Sequence, residues 1–370
     1  MEYAEYGRTG IKISRLGFGG MRFAGPKDVP AAAEVVLAAS QAGINYFDTA
    51  PGYCGDMSQK IVGHAVKQMK RDGREFYLST KSNKPTAEGV RADLCRSLEL
   101  LGVDRIDFYH CWYILTLDGW EERKKKGAVE ELIRAKEEGL VRHLVFSTHL
   151  PGDEVEKVID ENIFEGVTLG YNAINFPYRQ QALEAAARAG LGVVVMNPLG
   201  GGTIPANQDA FSFIRSREDQ PMVEAALNFL WAHQSITAAL VGFRSVEDVQ
   251  SAVAAWKKWG NGEKEDPGGR EIDLERMKTH ITDSFDSLCT GCRYCRVCPE
   301  DIEVYKFIEA YNHVLLNKGE ELGERLKWHY AIFDLKDLDR CTECGACEDA
   351  CTQHLPILER FEKIREIYGR

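Results

Sequence analysis

From Tyr3 to Phe18 apolar and polar positions alternate on either side of Gly7-Arg8-Thr9-Gly10, the two-residue period of paired strands. The chain is therefore predicted to open with a small hairpin that runs into a first strand near Leu16. From there two periods take turns. Helical spacing holds over 31–42, 59–70, 90–101, 129–138, 153–159, 179–189, 222–233 and 246–259. Between these stretches lie short apolar runs: 44–47 ending at Asp48, 76–80 ending at Lys81, then 106–111, 143–146, 167–171, 193–196 and 237–241. With the strand near Leu16 this makes eight strand–helix units joined by short connections, which predicts an α/β chain closed into a (β/α)8 TIM barrel behind an N-terminal β-hairpin. An open doubly wound sheet is the alternative, but no G-x-G-x-x-G follows the first strand.

After 259 the pattern breaks into a polar stretch, 260–269, rich in the breakers Gly and Pro, and the chain beyond it is different in kind. Ile302, Tyr305, Ile308, Tyr311 and Leu315 keep helix spacing, as do Leu355, Leu358, Phe361, Ile364 and Ile367. They flank two cysteine runs, CTGCRYCRVCP over 289–299 and CTECGACEDACT over 341–352, which hold eight of the eleven cysteines. In each run three cysteines stand two residues apart with a fourth just beyond, so three thiolates can close on one 4Fe-4S cube while the fourth reaches elsewhere. A four-cysteine zinc site usually draws one pair from each of two separated segments, whereas here each segment carries a quartet; clusters are expected over zinc. A disulfide framework fits less well, because no secretory signal precedes it and Cys54, Cys95 and Cys111 are scattered. The expected organisation is a barrel over 1–260, a linker over 261–272 and a small helical ferredoxin-like domain over 273–370.

Composition narrows the function classes. The formal charge of -11 and pI near 5.4 argue against nucleic acid or an anionic membrane as partner. The basic run Arg123 to Lys126 follows Glu121 and Glu122, as on a solvated helix face. No apolar run is long enough for a membrane span, and thiolate-bound iron favours a reducing compartment, so a cytoplasmic location is expected.

Chemistry in such a barrel gathers at the carboxyl ends of the strands. Here those ends offer Asp48 with Tyr53 just beyond, Lys81, and His110. A phenol with an ordinary pKa of about 10 protonates an alkoxide well only if a nearby ammonium makes it more acidic. Lys81 can supply that ammonium to Tyr53, and Asp48 can hold Lys81 in place.

Several pieces in this order resemble the aldo-keto reductase superfamily over residues 1 to about 260: the hairpin, Leu16-Gly17-Phe18-Gly19-Gly20, Phe47-Asp48-Thr49-Ala50 with Tyr53, Ser79-Thr80-Lys81, Leu101-Gly102-Val103-Asp104-Arg105-Ile106-Asp107, Ser147, Tyr171-Asn172 and Pro198-Leu199-Gly200. With its tail the chain resembles the branch fused to a two-cluster 4Fe-4S module. The resemblance implies NAD(P)H-dependent reduction of a small-molecule carbonyl, with Asp48, Tyr53 and Lys81 in the catalytic group and Tyr53 as proton donor; His110 is the candidate for the remaining catalytic place. It also implies cofactor contacts at Ser147, Asn172, Asn197, Pro198, Leu199, Gly242, Arg244, Ser245 and Asp248. This chain departs from the family at several positions: Trp112 stands where the family has its catalytic histidine, Thr148 where it commonly has Asn, Thr168 where it has Gln, and Ser251-Ala252 where it has Glu-Asn. His110 lies two residues before Trp112 on the same strand face, placed either to reach the site from deeper in the barrel or to pack there. His149 matches a Ser-x-His pattern of the fused branch and equally suits a rim residue.

Resemblance to two-cluster ferredoxins implies crossed ligand sets: Cys289, Cys292 and Cys295 with Cys351 for one cluster, and Cys341, Cys344 and Cys347 with Cys298 for the other. Two residues alone separate Cys295 from Cys298, and Thr352 replaces the usual Pro after Cys351. Hydride chemistry moves two electrons at once and a cluster one, so joining them takes a flavin, for which the sequence has no fingerprint, a redox partner such as a ferredoxin or flavoprotein, or a substrate that tolerates a radical. The expected function is an iron-sulfur oxidoreductase. The alternatives are an electron-transfer protein whose barrel is a docking scaffold, and a zinc-stapled barrel. Trp112, Tyr113, Trp120 and Phe176 suggest an aromatic pocket or ordinary core packing.

Overall fold

The structure, a computed structural model, describes residues 1–262, 273–280, 287–316 and 322–368. The expected linker lies outside the described residues from 263 onward. Strands β1 (Tyr3–Glu5) and β2 (Lys12–Ser14) form the antiparallel hairpin. The barrel continues the chain with β3 (Leu16–Gly19), β4 (Tyr46–Asp48), β5 (Tyr77–Ser82), β6 (Ile106–Ile114), β7 (Val141–Thr148), β8 (Gly166–Gly170), β9 (Gly192–Met196) and β10 (Ala238–Gly242). These eight are parallel in chain order, and β10 pairs with both β9 and β3, so the sheet closes as the sequence pattern implies.

The hairpin plugs one end of the barrel. Tyr6 is fully buried with its ring 4.4 Å from that of Phe108, among Ile11, Ile13, Tyr46, Val145 and Val194. Gly166 and Gly192, the first residues of β8 and β9, lie so close to this ring that any side chain there would overlap it. The plug therefore sits at the amino ends of the strands and leaves polar side chains to the carboxyl ends.

Helices alternate with the strands, with ends within a few residues of those expected, and local chemistry sets the ends. Ala87–Leu101 starts where the Thr86 hydroxyl accepts from the Gly89 N–H at 3.2 Å and stops at Gly102, whose left-handed backbone returns its N–H to Leu98 and Glu99. A helix that periodicity does not reveal, Leu117–Lys125, comes after β6; it buries Trp120 alone and carries Arg123 to Lys125 on its last turn, the end where the helix dipole favours cations.

The chain divides into two compact units that do not follow chain order. The first comprises 1–171, 176–198 and 224–272; the second comprises 172–175, 199–223 and 273–370. In the second, helices Val304–Leu315 and Ile357–Tyr368 bring the Phe307 and Phe361 rings within 6.0 Å, edge to face. Leu322, Leu326, Leu338 and Ile364 are fully buried in the same core, and Cys289, Cys295, Cys347 and Cys351 belong to it. The segment after β9 packs on a cysteine loop inside this unit: the Thr203 hydroxyl donates to the Cys289 carbonyl at 3.4 Å, and a side chain on Gly201 would overlap the Thr290 carbonyl.

Candidate functional site

Strand pairing sets Asp48 level with Ser79 and Lys81 level with His110, and alternation along β5 puts Ser79 and Lys81 on one face. The result is a buried polar chain. Lys81 Nζ lies 2.7 Å from each oxygen of Asp48. Ser79 Oγ donates to Asp48 Oδ2 at 2.7 Å and lies 2.8 Å from His110 Nε2. A carboxylate only accepts, so the single Ser79 proton goes to Asp48; Ser79 must then accept from His110, which assigns the imidazole proton to Nε2. Nδ1 is left as a buried acceptor with no partner among the described residues. Burial, and after it the Lys81 ammonium, hold His110 well below the ordinary imidazole range, so the ring is neutral. Losing either member of the buried Asp48–Lys81 pair would strand the other charge, at a cost of about 3–5 kcal/mol.

Tyr53 stands in the loop between β4 and helix Ser58–Arg71, half-buried, with Lys81 Nζ 5.4 Å from its ring centre. The Trp112 ring meets it edge-on at 5.6 Å. Between Cys111 and Ile114 the register slips: β6 takes three steps where β7 takes two, from Phe146 to Thr148. This bulge falls at Trp112 and Tyr113, the kind of irregularity that re-aims side chains at a barrel rim. His110 lies deep and fully buried, bonded to Ser79, while Trp112 flanks Tyr53. Trp120 and Phe176 are core residues, the first donating to Glu161 at 2.8 Å and packing on Phe164, the second packing on Phe229.

The residues tied to a nicotinamide are spread over several strand ends. Ser147 is buried in β7 beside Thr168 of β8, whose hydroxyl is buried without a partner among the described residues. Thr148 is committed locally, donating to the Ile114 carbonyl at 3.1 Å and accepting from Leu150 N at 3.0 Å. His149 is buried, and its carbonyl accepts from Arg179 at 2.9 Å. Asn197 has a left-handed backbone with φ 60° and precedes Pro198. Gly242 is exposed at the end of β10; next to it the Arg244 N–H and Nε both bond Asp248 Oδ2, at 2.9 and 3.2 Å, and Ser245 Oγ accepts from Asp248 N at 3.3 Å. Burial alone would raise the Asp248 pKa, but the bonds from Arg244 bring it below the usual carboxylate value. Asn172 and Leu199 belong to the second unit, where Asn172 Oδ1 accepts from Ile174 N at 2.8 Å.

The structure brings the cysteines together across the two runs. Cys298 lines one cavity with Cys341, Cys344 and Cys347, beside Pro299, Ile302 and Phe361. In the other set, burial and then the neighbouring Cys292 and Cys351 push the Cys295 thiol up to about 12. Thr352, in place of Pro, donates its hydroxyl to Cys292 Sγ at 3.4 Å. Among the described residues no three of His, Cys, Asp and Glu converge on a single ion-sized point. The cavity joins one cysteine of the first run to three of the second, the crossed set that the spacing implies for one cluster.

A closed barrel with a buried Asp–Lys pair beside a tyrosine, in one chain with two cysteine quartets, defines an oxidoreductase with an iron-sulfur module. The chain belongs to the aldo/keto reductase family, whose family model matches residues 15–261, and a 4Fe-4S dicluster domain matches residues 288–355. It is 29% identical over 284 residues to an L-galactose dehydrogenase of Arabidopsis thaliana, covering 69% of this chain and 88% of that one. It is 26% identical over 225 residues to an NADH-specific methylglyoxal reductase of Escherichia coli, covering 54% and 68%. Among solved structures the holo form of aldo-keto reductase AKR11C1 from Bacillus halodurans superposes with a TM-score of 0.62 at 21% identity, over 76% of this chain and 97% of that one, a likeness of fold. Among the described residues no helix is long and apolar enough to cross a membrane.

Proposed function

We propose that this protein reduces a small carbonyl compound to its alcohol, with Tyr53 giving the proton to the carbonyl oxygen. The observation that carries this is the buried Asp48–Lys81 pair with the ammonium 5.4 Å from the Tyr53 ring. Lys81 stabilises the phenolate left behind, Asp48 keeps Lys81 charged and in place, and Ser79 with His110 fixes the orientation of Asp48. His110 thus acts through Ser79 as a positioning residue, while Trp112 presents an apolar wall beside the donor. An apolar wall there suits an aromatic or otherwise apolar carbonyl. The names of the relatives, a sugar dehydrogenase and a methylglyoxal reductase, support the same reaction class.

A nicotinamide cofactor fits the residues present. Ser147 and the unpartnered Thr168 hydroxyl suit its polar carboxamide, and the largely exposed Arg244 with Ser245, at the start of helix Val246–Gly262, suits its phosphates. When bound, a nicotinamide would supply a hydride and each 4Fe-4S cluster a single electron; two clusters together would carry the pair that a carbonyl needs, with a second proton then drawn from solvent beside the one from Tyr53. Cys289, Cys292, Cys295 and Cys351 would hold one cluster and Cys298, Cys341, Cys344 and Cys347 the other, charged by a ferredoxin or flavoprotein partner. The local commitment of Thr148 and the grip of Asp248 on Arg244 favour a second reading, in which the barrel has given up nicotinamide and serves as a docking scaffold. Anaerobic protein mixed with NADPH and benzil separates the two. The first predicts NADPH oxidation that depends on benzil; no oxidation, together with no NADPH binding by fluorescence, favours the second.

A further inference from the structure

Arg360 is a buried cation that the barrel chemistry does not use. It sits in the first turn of helix Ile357–Tyr368, the end at which the helix dipole disfavours positive charge, and is 3% exposed. Its Nη2 donates to the Ser287 carbonyl at 2.5 Å, two residues before Cys289, and its guanidinium lies 5.5 Å from the ring centre of Tyr311. Nη1 has no partner among the described residues. Nor does any carboxylate among the described residues pair with Arg360, since the adjacent Glu359 is exposed and bonded to Lys363. A buried charge persists only where an opposite charge compensates it. Burial pulls the Arg360 pKa below its ordinary value, and the nearby side chains of Cys289, Tyr311, Cys351 and Glu359 oppose that shift.

Other donors converge on the same quartet. Gly291 N–H points to Cys289 Sγ at 3.5 Å, the Thr352 hydroxyl to Cys292 Sγ at 3.4 Å and Leu355 N–H to Cys351 Sγ at 3.4 Å. Cys289, Cys295 and Cys351 are buried. One carboxylate, Glu309, lies beside the Cys289–Gly291 turn, but the other quartet is the more acidic and open one: Cys344 is exposed, and Glu343, Glu348 and Asp349 lie within its run.

We propose that Arg360 is the built-in counter-charge of the cluster held by Cys289, Cys292, Cys295 and Cys351, and that it raises the reduction potential of that cluster above that of its neighbour. Reduction adds one negative charge to a cluster, taken from an external one-electron reductant such as dithionite or a reduced carrier protein. A fixed cation in a low-dielectric core stabilises the added electron, whereas nearby carboxylates oppose it. An electron entering at the exposed quartet then settles on the buried one.

The inference rests on the crossed ligand sets proposed above, and the experiment keeps the two apart. Full-length protein purified anaerobically is titrated with dithionite while its electron paramagnetic resonance is monitored, as wild type, Arg360→Gln and Arg360→Lys. Wild type is expected to show two separated potentials. In Arg360→Gln one of them falls and the other stays, and Arg360→Lys, which keeps the charge, remains near wild type. Equal potentials in wild type, no shift in Arg360→Gln, or a Lys variant that behaves like the Gln variant would overturn the role of Arg360. If Arg360→Gln loses iron, the wild-type potentials and the Lys variant still decide. Fewer than two clusters in the wild type would instead overturn the ligand sets.

Discussion

Tyr53→Phe is expected to lower turnover of a reducible carbonyl by about 10²–10⁴-fold, the usual contribution of a positioned general acid. The substitution removes one hydroxyl and leaves a ring to pack against Trp112, so the barrel and the Asp48–Lys81 pair stay as they are. The effect belongs in kcat, with the KM for NADPH near that of wild type, because the phenol acts on the developing alkoxide and not on cofactor binding. Phe at 53 also retains the 5.4 Å approach of Lys81 to the ring, which separates loss of the proton from loss of the surroundings. A Tyr53→Phe protein that turns over benzil within a few-fold of wild type would remove Tyr53 from the chemistry.

Cys298→Ala is expected to halve the iron, from about eight to about four atoms per chain, and the cluster lost should be the one held by the distant run. Cys298 lines the cavity of Cys341, Cys344 and Cys347, fixed there by the turn through Pro299 into Ile302 and the helix that begins at Val304. The crossing gives a distinctive double-variant pattern. Cys298→Ala with Cys341→Ala should still hold about four irons, since both changes strike one cluster, whereas Cys298→Ala with Cys289→Ala should hold almost none. Iron and acid-labile sulfide analysis of anaerobic protein reads this directly. If the pattern were reversed, with Cys298 and Cys289 serving one cluster, the crossed sets would be wrong.

The order of the barrel is legible in the sequence because strand and helix periods alternate cleanly and the strands end at Asp48 and Lys81, residues that apolar surroundings cannot hide. Their union as a buried pair comes from position alone. The bridge through Ser79 has no such signal, although its place two residues before Lys81 puts it on the same strand face; a small hydroxyl has no pattern of its own in a sequence. The bulge at Trp112 and Tyr113 is equally hidden, because one extra residue in a strand leaves composition and spacing intact while shifting every later register. For that reason the depth of His110 emerges only from the pairing of β6 with β5 and β7. In sequence Arg360 is an ordinary polar position, flanked by Glu359 and, beyond Phe361, Glu362; only burial shows that it faces inward. The cysteine spacing carries the most information of any stretch, since metal ligation tolerates few other arrangements.

Whether the clusters and the Tyr53 site work on one substrate is decided by reducing the anaerobic protein with dithionite, removing the excess, and adding benzil with no nicotinamide present. Joint action predicts that both clusters are reoxidised and about one benzoin forms per chain, two electrons and two protons for one carbonyl, one proton through Tyr53 and the other from solvent, with Tyr53→Phe markedly slower. Clusters that stay reduced in the presence of benzil, in a protein that still reduces it with NADPH, would contradict joint action and leave the two halves electrically separate.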